Sequence, residues 1–255
     1  MSEYICFHST SIMRKIVIAA FAFCLVSTAF AQKKDSVIHN MIPGSKKEAP
    51  SNDHFFIQLG YLTWTSKPDS INTKGMPRTL NMYVMLNFPF KTNPHWSVAI
   101  GPGIASDNMY FDKMIVGIAQ TTTSVHFTDV SDTNHFKKYK LSTNFAEAPI
   151  ELRYRFNPED DRKSVKIAFG AKIGLLINSH VKGKNLENVN DQTLNEYIMK
   201  ESTKRYFNKQ RLSVMGRVGV GSFTVFASYS ITPLFQEGLG PSIRPLTIGL
   251  NISGL

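Results

Sequence analysis

NFAEAPIELRYRF, residues 144–156, alternates along its whole length. Ala146, Ala148, Ile150, Leu152, Tyr154 and Phe156 share one parity; Phe145, Glu147, Pro149, Glu151, Arg153 and Arg155 share the other. Successive side chains of a strand point to opposite faces, so the segment has one apolar face and one bearing two carboxylates and two guanidinium groups. A helix would spread those charges around its circumference. Charges gathered on one face need water or each other, while the other face suits hydrocarbon, the pattern of a strand in a membrane-spanning β-barrel.

Seven further segments alternate: 55–61, 80–90, 96–104, 165–178, 211–220, 223–231 and 246–253. In 165–178, for example, Val165, Ile167, Phe169, Ala171, Ile173, Leu175 and Ile177 oppose Lys166, Gly170, Lys172 and Asn178. Most are long enough for the roughly 9–11 residues of a tilted spanning strand. Connections 66–78, 107–142, 180–210 and 232–242 are long; 91–95, 157–163 and 221–222 are short. Strict alternation of short turns with long loops is the rhythm of an outer-membrane barrel. The expected fold is therefore all-β, an eight-stranded antiparallel transmembrane β-barrel over 55–255 with short periplasmic turns and long extracellular loops. Phe55, Phe88, Phe90, Trp96, Tyr154, Phe156 and Phe223 fall on the apolar parity near the short turns and read as a periplasmic aromatic girdle. A soluble lipocalin-type barrel, apolar inside, fits the charged face less well. Pro102 and Pro149 lie inside proposed strands, where a missing N–H predicts bulges or irregular pairing.

Upstream, Met13-Arg14-Lys15 precedes an apolar run over 16–29 and an Ala29-Phe30-Ala31 site. This reads as a secretory signal peptide over 1–31, cleaved after Ala31, with Met13 an alternative start that leaves 1–12 upstream. The run is short of the ~20 residues of a membrane anchor helix. Cys6 and Cys24 both lie before the cleavage point, so the mature chain carries no thiol. Residues 32–54, with Pro43, Gly44 and Pro50, read as a flexible periplasmic tail. The formal charge of +10 raises nucleic acid as a partner. No block of like charges supports it, and the basic residues recur on the polar faces of strands.

Eight charged side chains, Glu147, Glu151, Arg153, Arg155, Lys166, Lys172, Arg211 and Arg217, would project into the lumen from three consecutive strands. An eight-stranded barrel is just wide enough for side chains to fill, so a paired network plugging the lumen is the favoured reading over a narrow solute or anion pore. For chemistry, His126, Asp129, Asp132 and His135 share one loop and could serve an outer-membrane lipid or peptide hydrolase. Their spacing matches no metal motif, and neither G-x-S-x-G nor H-E-x-x-H occurs. No catalytic, cofactor-binding or metal site is expected, and no cofactor. Loops 107–142 and 180–210 are candidate docking surfaces, and Asn190 or Asp191 could cap a short helix in the second. The expected partners are outer-membrane lipid and another envelope or secretion-machine protein, the expected role structural or interactive.

FAEAPIELRYRF, the glycine-spaced FGAKIGLLINS and the ending VFASYSITPLFQEGLGPSIRPLTIGLNI, with the turn-and-loop rhythm, resemble the small outer-membrane β-barrel proteins of Bacteroidota grouped as PorT-like. The resemblance covers about 55–255 and implies the outer membrane of a Gram-negative bacterium. Some relatives in that group are linked to a protein-secretion machine.

Overall fold

A strand whose outer face meets an apolar solvent has nowhere to leave an unpaired backbone edge, so a sheet of such strands must close on itself. In the computed structural model, which describes residues 54–118, 123–160 and 163–254, it does close. The strands are β1 (Phe55–Thr65), β2 (Arg78–Val84), β3 (Leu86–Pro89), β4 (Trp96–Ile100), β5 (Gly103–Phe111), β6 (Met114–Gly117), β7 (His126–Asp129), β8 (His135–Arg155), β9 (Val165–Glu187), β10 (Thr193–Ser202), β11 (Gln210–Val220), β12 (Phe223–Ser230) and β13 (Arg244–Ser253). The antiparallel ring runs β1, β2, β5, β8, β9, β11, β12, β13 and back to β1. β3 prolongs the β2 stave beyond Met85, and β4 prolongs that of β5, giving the eight staves expected. The proposed signal peptide over 1–31 and nearly all of the tail over 32–54 lie outside the described residues.

The gap between β4 and β5 falls at Gly101-Pro102. Ile100 faces Ile150 and Gly103 faces Glu147 at one common offset, so the ladder is interrupted there without an extra residue. Pro149 supplies the reason: its carbonyl accepts from Gly101 N, but it has no N–H to return the bond. Pro102 likewise accepts from Val84 N and donates nothing back. The two prolines concentrate their missing donors at one spot.

The extra residue lies elsewhere. Pairing of β8 with β9 steps from Asn144 opposite Asn178 to Phe145 opposite Leu176, leaving Ile177 unopposed as a β-bulge. Because side chains alternate with period two, one added residue exchanges the faces of everything beyond it. Asn178 therefore shares the outer face with Asn144, which corrects its expected place on the lumen side. Above the bulge Ser179 and Val181 are buried inward, while Lys182 and Lys184 look out.

Outward side chains from Val165 to Ile177 are apolar over roughly 30 Å of barrel height for a strand tilted by about 40°. Above that band the chemistry of the wall reverses. Leu62, Trp64, Met109, Phe111, Tyr139 and Leu141 point inward and join Phe207, Leu234, Phe235 and Ile243 in an apolar core that fills the upper mouth. Much of what reads as loop in sequence is strand. Residues 107–142 contain the upper part of β5, the β6–β7 hairpin and the start of β8; residues 180–210 contain the upper part of β9 and all of β10. The short helix expected after Asn190 or Asp191 is absent. Thr193–Ser202 pairs along β9 instead, and Asn188 closes the hairpin by accepting from the backbone N–H groups of Asn190 and Gln192. Asp191 takes a left-handed φ of 60°, which turns the chain back rather than opening a helix.

Candidate functional site

The eight inward charges of the sequence reading are all buried, and they lie at successive heights. In the upper group, Arg211 of β11 donates from Nε to Glu147 Oε1 of β8 at 2.9 Å and from Nη1 to Asp107 Oδ2 of β5 at 2.5 Å. Lys172 Nζ lies 3.8 Å from Glu147 Oε2, which also accepts from the Tyr83 hydroxyl at 2.5 Å. Thr79 donates to Asp107 Oδ1, and Asn81 to Gln58 Oε1 at 3.2 Å, carrying the network to β1. Below, Glu151 Oε2 accepts from Arg153 Nε at 2.8 Å and from Arg217 Nη2 at 3.1 Å. Both guanidinium groups lie over the Phe56 ring, at 4.9 and 4.7 Å from its centroid. Arg155 and Lys166 stand opposite each other at the lower end.

Buried charge is costly unless paired and hydrogen-bonded, and this geometry supplies both. Glycine makes room for it. Gly174 of β9 lies opposite both Glu147 and Arg211, and a Cβ there would meet Glu147 Cγ at 3.2 Å. The free volume left among Thr79, Asp107, Lys172 and Arg211 is about 10 Å³, space for one water at most. Asp107, Phe56 and the stacking role of Phe145, whose ring lies 3.9 Å from the Arg211 guanidinium, are absent from the sequence reading. Asp107 opens the long connection 107–142 of the sequence reading, and polar Ser106 and Asn108 on either side of it erase the alternation. Phe56 carries the opposite parity to Phe55 and Ile57, which was a usable signal.

The seven aromatic side chains at the short-turn end are all partly or largely exposed. Trp96 and Tyr154 meet edge to face at 4.9 Å, as do Tyr154 and Phe156 at 5.0 Å.

The four loop residues considered for catalysis do not converge. His126 opens β7 beside Ser124, Asp129 holds the Ser131 N–H, and His135 is buried on β8. His135 instead meets Asp191 at 2.9 Å, with Glu187 nearby, the ligand atoms of the three lying within 4.8 Å of one another. Lys113 at 2.9 Å from Asp191 and Lys137 at 3.2 Å from Glu187 already balance both carboxylates. The cluster is an ion-pair clip joining the β9–β10 hairpin to the β5–β6 turn. Hydrogen bonds from Lys113 and His135 hold the Asp191 carboxyl below its ordinary pKa. Over the mouth, the Phe207–Phe235 and Phe127–Phe235 ring pairs, at 5.1 and 6.1 Å, tie three long connections together.

Among solved structures, the chain is similar to Ail, the attachment invasion locus protein of Yersinia pestis, in complex with the heparin analogue sucrose octasulfate: 15% identity over 78% of this chain and 96% of that one, with a TM-score of 0.35. A second structure of Ail from Yersinia pestis gives 14%, 78%, 95% and 0.30. No curated protein matches. A family model described as outer membrane protein beta-barrel domain matches residues 30–237. A closed ring of antiparallel strands with an apolar outer band is the construction that description requires, and the chain belongs to the family of outer membrane protein beta-barrel domains.

Proposed function

We propose that this outer-membrane barrel is a non-enzymatic structural and interaction protein of the cell envelope, sealed to solutes and engaging another envelope protein through its upper ribbon. The observation that carries the reading is β10. Among the described residues it pairs with β9 on one side only, and Leu194, Tyr197 and Ile198 are exposed along it. An unpaired strand edge with exposed apolar side chains is a template for strand addition by a partner. The β6–β7 hairpin within 107–142, clipped to the β9–β10 turn, gives a second surface beside it. The lumen network and the apolar mouth support a plugged barrel, and the aromatic side chains near the short turns anchor the wall at the periplasmic interface. A signal peptide cleaved after Ala31 would deliver the chain. The resemblance to PorT-like barrels of Bacteroidota favours a secretion-machine component as the partner class.

The test places a photo-crosslinking residue at Leu194 or Ile198 in the native envelope, with Ile198→Pro in the same strand as control. A discrete adduct lost with the proline supports the reading; absence of any adduct from both positions overturns it. Reconstitution in planar bilayers should give no current steps of porin size.

A further inference from the structure

On the outer wall, at the upper edge of the apolar band, a groove of about 550 Å³ crosses β13, β1, β2, β5 and β8. Its lower part is lined by Leu59, Leu80 and Leu250, all exposed, and its upper part by Arg78, Tyr110 and Lys140. Arg78 donates to the Tyr110 hydroxyl at 2.9 Å, and Lys140 to Asn108 Oδ1 at 2.7 Å. The positive row continues sideways: Lys182 of β9 stands directly opposite Lys140, and Lys200 of β10 directly opposite Lys182. Among the described residues none of these four cations forms an ion pair with a carboxylate. The contrast with their surroundings is sharp, because Lys74, Lys113 and Lys137 at the same end of the barrel are each paired.

Like charges placed directly opposite on neighbouring strands destabilise a sheet. Burial first, and then Lys182 and Arg78, hold the Lys140 ammonium below its usual pKa, against the contrary pull of Tyr110. Burial, then Lys200, Lys140 and Lys182, does the same to the neighbouring His180. An anion on the row would relieve this repulsion, and phosphate oxygens suit both the guanidinium fork and the ammonium point charges. A soluble anion would have no use for the leucine floor. An amphiphile uses both halves, with its acyl chain on the leucines and its headgroup on the row.

We propose that Arg78, Lys140, Lys182 and Lys200 form a docking site for a phosphate-bearing lipid of the outer leaflet, its acyl chain lying in the groove over Leu59, Leu80 and Leu250. The site extends from the wall of the barrel onto β10 through Lys200, and lipid retention tests it separately from the crosslinking that tests the protein-partner reading.

The test uses the full mature barrel in nanodiscs, with lipid retention read by native mass spectrometry. The probes are a bisphosphorylated acylated glucosamine disaccharide and the same lipid without phosphates, with inorganic phosphate as competitor. The wild type should retain the phosphorylated lipid at least tenfold better. The combined Arg78→Gln, Lys140→Gln, Lys182→Gln and Lys200→Gln variant should lose that preference, and Lys74→Gln with Lys137→Gln should keep it. Should the combined variant fail to fold, Lys182→Gln with Lys200→Gln, both on the projecting ribbon, should still reduce the preference severalfold. Equal retention of the two lipids by the wild type, an unchanged preference in the substituted proteins, or displacement by millimolar inorganic phosphate would each overturn the proposal.

Discussion

Arg211 and Glu147 belong to strands that are not neighbours, and the guanidinium of one reaches the carboxylate of the other across the bare backbone of Gly174. The glycine is thus part of the ion pair. In Gly174→Val, Cβ meets Glu147 Cγ at 3.2 Å and the added methyls occupy the path of Arg211. Loss of a buried pair on one side costs about 3–5 kcal/mol. Denaturant unfolding in lipid vesicles should show a loss of that size for Gly174→Val and a clearly smaller one for Gly174→Ala.

Glu147 accepts from Arg211 and Tyr83 and faces Lys172, so Glu147→Leu strands Lys172 and leaves Arg211 with Asp107 alone. Single removal should cost about 3–5 kcal/mol, whereas Glu147→Leu combined with Lys172→Met, which keeps the Arg211–Asp107 pair, should recover much of it. The single- and double-mutant unfolding curves measure the coupling directly. Additive losses would contradict a shared network.

The apolar mouth is a separate core. Phe207 is fully buried against Phe235, and Phe207→Ala should destabilise the cap by about 3–5 kcal/mol while leaving the lower wall intact. Limited proteolysis should then cut within 203–209 and 232–242. The heat-dependent shift of the folded barrel on a denaturing gel should persist.

For the clip, the sign follows from the depressed pKa of Asp191. A carboxyl held low in the fold contributes above its unfolded value and loses that contribution as pH falls through the folded one. Hydrogen exchange around 188–192 should therefore be flat from pH 7 to about pH 5, after correction for intrinsic rates, and should speed up below the ordinary carboxylate range near pH 4. Asp191→Asn should show the fast exchange at neutral pH.

Where the wall lies in hydrocarbon, its order is legible in the sequence, because one apolar parity is obligatory there. Ile150, Leu152 and Glu151, Arg153 reveal strand, face and neighbour class at once. Legibility fades where the wall rises into water. At Asp107 both flanking residues are polar, so the strand end and the partner of Arg211 disappear together from the pattern. The mouth was hidden for another reason: Trp64, Phe111, Phe207 and Phe235 are far apart along the chain, and only closure of the ring brings them together. Thr193–Ser202 was ambiguous because both its faces are exposed, so neither a strand nor a helix period stands out.

Ile177 is the hinge of meaning in β9. Below it the even-numbered residues are the interior vocabulary of the barrel; above it the odd-numbered ones are. Were Ile177 to take a partner in step with the strand below it, the upper ribbon would be spelled in the wrong frame, with Lys182 and Lys184 turned inward toward Tyr139 and Leu141 and Val181 left facing water. One hydrocarbon side chain without an opposite number thereby lets a continuous strand obey two solvents in succession.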